Sequence, residues 1–127
     1  MKGTVIIIAG ILGSLSIILG AFGAHWLKKR LDQAQLSSFE TGVKYQMYHA
    51  LLPIGMGIMF PFDQISQQMM AVGIILGTCL FSFSIYGLVL GRALGRKWSV
   101  LGPVTPLGGI FLVLGWMLFV FNATESF

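Results

Sequence analysis

The chain has 127 residues, of which 56% are hydrophobic and 9% charged, and its mean hydropathy is +0.87, whereas a soluble domain carries about a quarter charged residues. Four Asp and Glu residues and one Cys exclude an acidic disordered tail, a disulfide scaffold and a multi-Cys zinc module. The net charge of +4 comes in short clusters beside apolar runs, Lys28 to Arg30 and Arg92, Arg96 and Lys97, instead of spreading over a face as nucleic-acid binding requires. The composition is that of a single-domain integral membrane protein whose partner is the lipid bilayer and not nucleic acid.

The first element is the uncharged run from Thr4 to Ala24, which at 1.5 Å per residue crosses a hydrocarbon core of about 30 Å. It is read as a spanning helix over about 4–25. A signal peptide is the rival reading, with Lys2 as its basic end and Ala21-Phe22-Gly23 as a cleavage site, but Lys28, Lys29 and Arg30 immediately afterwards resist translocation.

Ser37 and Glu40 fit an S-x-x-E capping box, so a second helix is expected over about 38–60. Glu40 and Lys44 form an i,i+4 pair in its first turns, and Tyr45 and Tyr48 suit the interfacial aromatic belt. Pro53 lies inside it and clashes with the carbonyl of His49, which predicts a kink. Pro61, Phe62 and Asp63 make a short turn into a third uncharged helix over about 68–91. Thr105 followed by Pro106 reads as an N-cap with proline at the first helical position, opening a fourth helix over about 105–122.

Of the eight Lys and Arg residues, only Lys2 falls at the end that carries the termini. The positive-inside bias therefore places both termini on the outer side. Gly73 with Gly77, Gly87 with Gly91, and the stripe of Gly13, Ser16, Gly20 and Ala24 have the spacing that lets helix backbones approach closely, within the bundle or in a homo-oligomer.

Candidate chemistry follows from depth. His25 at the inner end of helix one, Tyr45, Gln46 and His49 on helix two, Ser84 and Tyr86 on helix three, and Thr105 at the start of helix four all fall in one inner layer. They are expected to form one connected, inward-facing cluster, with His49 pointing at helices one and three. An ionisable group inside a membrane marks a functional site by default, because hydrocarbon penalises unsatisfied polar groups. The competing reading is structural: such groups bond to one another or to helix carbonyls and fix the packing. Haem or metal binding through His25 and His49 is a further alternative, although methionine is common core filling and no H-x-x-x-H or CxxC motif accompanies the histidines. Small-solute or ion permeation is another. All four acidic residues lie in loops, tails or the first turn of helix two, so no buried acid orients a hydrolytic triad. Asn122-Ala123-Thr124 matches a glycosylation sequon.

Leu19 to His25 (LGAFGAH), Thr41 to His49 (TGVKYQMYH), Leu80 to Leu88 (LFSFSIYGL), Thr105 to Gly109 (TPLGG) and Phe111 to Trp116 (FLVLGW), taken together and in register, resemble the small bacterial inner-membrane protein family typified by YgdD and YwdK. The resemblance covers all four helices. It implies four spans, location in the cell inner membrane and no established activity. It also implies that His25, Thr41, Gly42, Tyr45, Gln46, His49, Ser84, Tyr86, Thr105, Pro106 and Gly109 are the family's motif positions. The reading is an all-α, four-helix membrane bundle with short loops. It is non-enzymatic, has no assigned cofactor or metal, and its polar layer either locks the helices or holds a small ligand of unknown chemistry.

Overall fold

The computed structural model describes residues 1–127 and is all-α. Four long helices make up the fold: α1, Lys2–Leu27; α2, Gln33–Met59; α3, Ile65–Ala93; and α4, Val104–Ser126. Helices α1 and α3 each contain one widened π turn, at Leu19–Gly23 and Cys79–Phe83. A 3₁₀ turn, Ser99–Leu101, leads into α4.

Helix α3 begins three residues before 68 and α4 runs four residues past 122, and both N-caps read from the sequence are corrected. Asp32, not Ser37, caps α2: its carboxylate accepts the Gln35 N–H at 2.9 Å, and the helix begins five residues before 38. Ser38 and Thr41 instead donate to the carbonyls of Ala34 and Ser37 from within the helix. Thr105 is likewise not a cap. Helix α4 starts at Val104, Pro106 sits harmlessly in a first turn whose N–H groups have no helical partner, and the Thr105 hydroxyl is used elsewhere. The helix α2 continues through the buried Pro53 to Met59.

Three helical stretches, Lys2–Leu27, Ile65–Ala93 and Ser99–Ser126, are long and apolar enough to cross a membrane. Helix α2 has the length without the uniform apolarity, since Gln35, Ser37, Ser38, Glu40, Thr41 and Lys44 occupy its first half. The apolar surface faces outward on the other three. Ile7, Ile17, Val72, Val113 and Met117 are each more than half exposed, an arrangement suited to lipid and not to water.

The helices pair antiparallel through glycine. Along α1 and α2, the space a Cβ would take at Gly20 meets Val43, at Gly13 meets Ala50, and at Gly57 meets Ile6. Between α3 and α4 the contact is backbone to backbone: a Cβ on Gly77 would lie 2.8 Å from the Leu112 nitrogen and 3.0 Å from the Gly108 oxygen, and one on Gly73 would lie 3.4 Å from Gly115 Cα. Gly87 and Gly91 serve a different purpose, admitting Leu101 and Trp98 so that the α3–α4 loop folds back on α3.

An apolar cluster of Val5, Met56, Phe60, Phe62, Met70, Ala71, Ile74 and Leu112 fills the end that carries the termini. The α2–α3 turn there places Phe62 at φ 63°, a strained conformation for a non-glycine residue. Two amides hold it: the Gln67 carbonyl oxygen accepts the Phe62 N–H at 2.8 Å, and Gln68 Nε2 donates to the Phe62 carbonyl at 3.0 Å. A smaller cluster of Leu27, Phe39 and Val89 closes the end that carries the two interhelical loops.

Candidate functional site

Helix α2 is the spine on which the polar side chains assemble. Gln46 is fully buried, donates from Nε2 to the Leu12 carbonyl of α1 at 2.7 Å, and accepts the Tyr86 hydroxyl of α3 on Oε1 at 2.7 Å. One amide thereby ties three helices. About one turn toward the loop end, two α2 carbonyls each accept a second bond: Ser82 of α3 donates to Gly42 at 2.7 Å, and Ser16 of α1 donates to Val43 at 3.0 Å.

His49 lies one turn the other way and faces α4. Trp116 Nε1–H donates to its Nε2 at 3.1 Å, so Nε2 is the acceptor, and Nδ1–H donates to the Tyr45 carbonyl at 2.7 Å. This pattern assigns the neutral Nδ1–H tautomer. The rings of His49 and Trp116 meet edge to face at 6.2 Å. Nearer the loops, Ser84 donates to the Phe81 carbonyl at 2.9 Å, which leaves Thr105 to donate its hydroxyl hydrogen to Ser84 at 2.6 Å, joining α3 to α4.

The seven candidate residues therefore separate into groups instead of forming one cluster. Gln46 and Tyr86 are bonded, Ser84 and Thr105 are bonded, and His49 bonds to α4 rather than to α1 and α3 as expected. Tyr45 contributes its carbonyl, while its ring is 40% exposed and stacks on Phe81 at 4.9 Å. His25 stands apart and exposed near the α1–α2 loop. Gly23 abuts Phe39 whereas Gly13 abuts Ala50, so His25 and His49 are about 17 Å apart along the bundle at helical rise. Both His49 nitrogens are also engaged, and the two histidines do not form a shared ligand pair.

Four participants escaped the sequence reading. By spacing Ser16 is one more small residue in a packing stripe, Ser82 and Trp116 stand only inside longer motifs, and Asn122 marks a helix end and a sequon. In the structure Asn122 is 1% exposed, donates to the Leu118 carbonyl at 2.8 Å and accepts from Ser66 at 2.7 Å, so the sequon asparagine is buried and occupied. No buried side-chain nitrogen or oxygen lacks a partner.

This sequence is similar to known membrane proteins over nearly its whole length. The family described as "Protein of unknown function (DUF423)" matches residues 19–109. The UPF0382 membrane protein C1782.12c of Schizosaccharomyces pombe is 38% identical, with 86% of this chain and 92% of the relative covered. The UPF0382 membrane protein SH2409 of Staphylococcus haemolyticus is 33% identical, with 92% of each covered. The UPF0382 inner membrane protein YgdD of Escherichia coli K12 is 37% identical, with 93% of this chain and 87% of the relative covered. No solved structure matches. The chain belongs to the UPF0382/DUF423 family of membrane proteins of unknown function.

Proposed function

We propose that this family member is a four-span, non-enzymatic structural or accessory protein of the inner membrane, with both termini on the outer side, whose polar ladder locks the bundle instead of receiving a substrate. The observation that carries the reading is the closure of the polar groups on one another: every buried side-chain nitrogen or oxygen already has an intramolecular partner. The bonds from Gln46, Ser16, Ser82, Thr105 and Trp116 run between helices and end on carbonyls, on the Ser84 hydroxyl or on the His49 ring. Hydrocarbon offers such groups no water, so their satisfaction specifies which helix faces meet.

This ladder also explains how α2 spans with less apolar sequence than its neighbours. Its Gln46 and His49 are buried against α1, α3 and α4, while Glu40, Thr41 and Lys44 fall toward the basic loops, where the headgroups lie. The positive-inside bias orients those loops to the cytoplasm.

Cysteine accessibility separates locking from permeation. In a Cys79→Ser background, Gln46→Cys is expected to resist a water-soluble maleimide while Ser38→Cys, exposed on the first turns of α2, reacts. Reaction of Gln46→Cys at a rate near that of Ser38→Cys reveals a water-filled path and overturns the locking role. An alkaline phosphatase fusion at Arg96 is expected to be silent; an active one overturns the orientation.

A further inference from the structure

We propose that the cleft at the two-loop end, between the start of α2, the end of α3 and the α3–α4 loop, is a binding site for an anionic phosphate group. Two adjoining hollows of about 520 and 820 Å³ lie there and share Gln35 and Arg92 among their walls. Each is within the range of about 300–1,000 Å³ typical of small-ligand pockets. Arg92, Arg96 and Lys97 line this space, against the single carboxylate of Asp32, and that carboxylate is engaged by the Gln35 N–H.

The cations stand on a built surface and not on a loose loop. Arg96 N–H donates to the Gly91 carbonyl at 2.7 Å and Gly95 N–H to the Arg92 carbonyl at 3.1 Å, with Gly95 at φ +70°. This is a Schellman termination, which reverses the chain at once after the helix. Gly87 and Gly91 then let Leu101 and Trp98 lie against α3. Arg92 and Arg96 are thereby held on either side of one turn. The contrast with the other basic loop is informative: Arg30 donates to the Trp26 carbonyl at 2.9 Å and lies over the Trp26 ring at 3.9 Å, so its guanidinium is already used.

A second feature points to the same charge. Helix α4 begins beside Thr105 in this cleft with no side chain capping it. Its first N–H groups and the positive end of its dipole add to the field of the three cations. Guanidinium groups recognise phosphate oxygens through paired, charge-assisted hydrogen bonds. Two sources present that chemistry here, the headgroup of an anionic phospholipid and free phosphate or a small phosphorylated solute.

The test uses the full chain purified in detergent. Dioleoylphosphatidylglycerol and the zwitterionic dioleoylphosphatidylcholine are compared as retained adducts by native mass spectrometry, and inorganic phosphate is titrated by thermal shift. Arg92→Gln with Arg96→Gln is expected to weaken binding of the preferred anion about tenfold or more. Lys28→Gln with Lys29→Gln, an equal loss of charge on the other loop, is expected to leave it within about twofold. The single Arg92→Gln variant keeps the test valid if the double variant does not fold. Selective retention of the anionic lipid identifies a headgroup as the source, and a shift with phosphate alone identifies a free anion. Equal losses in the two double variants, or no response to either the anionic lipid or phosphate, overturn the site.

Discussion

Replacing Tyr86 by Phe keeps the ring that packs over Gly42 and removes only the hydroxyl donated to Gln46. The expected cost is about 1 kcal/mol, within the range measured for interhelical hydrogen bonds in membranes. Gln46→Leu is close in size but removes two bonds, the one from Tyr86 and the one to the Leu12 carbonyl, and leaves a half-buried phenol without its acceptor; it should cost about 2 kcal/mol. The double variant removes both members of the pair and strands neither. It should cost about 2 kcal/mol, roughly 1 kcal/mol less than the two single losses added together, because an absent partner cannot be missed twice. Reversible unfolding in mixed micelles, followed by far-UV circular dichroism, measures all four species. Losses that add to within a few tenths of a kcal/mol show that Gln46 and Tyr86 are independent, and this rung then does not tie α2 to α3, leaving Ser82 on the Gly42 carbonyl as the bond between them.

Gly77→Ala should destabilise by about 1–3 kcal/mol, since its Cβ meets the backbone of α4, which cannot rotate out of the way. Gly10→Ala, with open space around the new methyl, should be neutral or slightly stabilising on the same unfolding curve. Trp116→Phe should cost about 1 kcal/mol and change the ¹⁵N shift of His49 Nε2, which loses its donor; an unchanged shift shows that the bond does not form in solution.

Composition and hydrophobic run length carried the membrane reading and the four helices, because the length of chain that must avoid water is a property of a whole segment and tolerates local error. Helix starts were less legible. Ser37 and Glu40 do satisfy a capping pattern, yet the same residue types are tolerated inside a helix, and Asp32, five residues earlier, reached the free N–H of Gln35 first. The glycine spacings correctly marked close approach, but spacing does not name the partner: Gly77 receives the α4 backbone, while Gly87 and Gly91 receive a returning loop.

The polar residues show where depth arithmetic stops. Counting residues from the membrane boundary gives height along a helix, and it placed Gln46 and Tyr86 close enough to bond. Which way a side chain points depends on rotation about the axis, about 100° per residue, so one extra residue in a turn re-aims everything beyond it. Two such insertions occur here. The π turn Leu19–Gly23 lies between Ser16, which faces α2, and His25, which is exposed; nine residues of uninterrupted helix already turn His25 about 180° away from Ser16, and the π turn narrows that offset without returning His25 to the α2 face. In α3 the π turn Cys79–Phe83 lies where Gly77 and Thr78 give way to Ser82 and Ser84, and the helix changes its bonded partner along that stretch, with Ser82 reaching α2 and Ser84 reaching α4. A π turn has no strong residue signature, since it is stabilised by the neighbours that fill and flank it, such as Phe39 against Gly23 and Tyr45 against Phe81. Which neighbour each polar side chain of α3 meets was therefore set by tertiary contacts that no single-helix pattern contains.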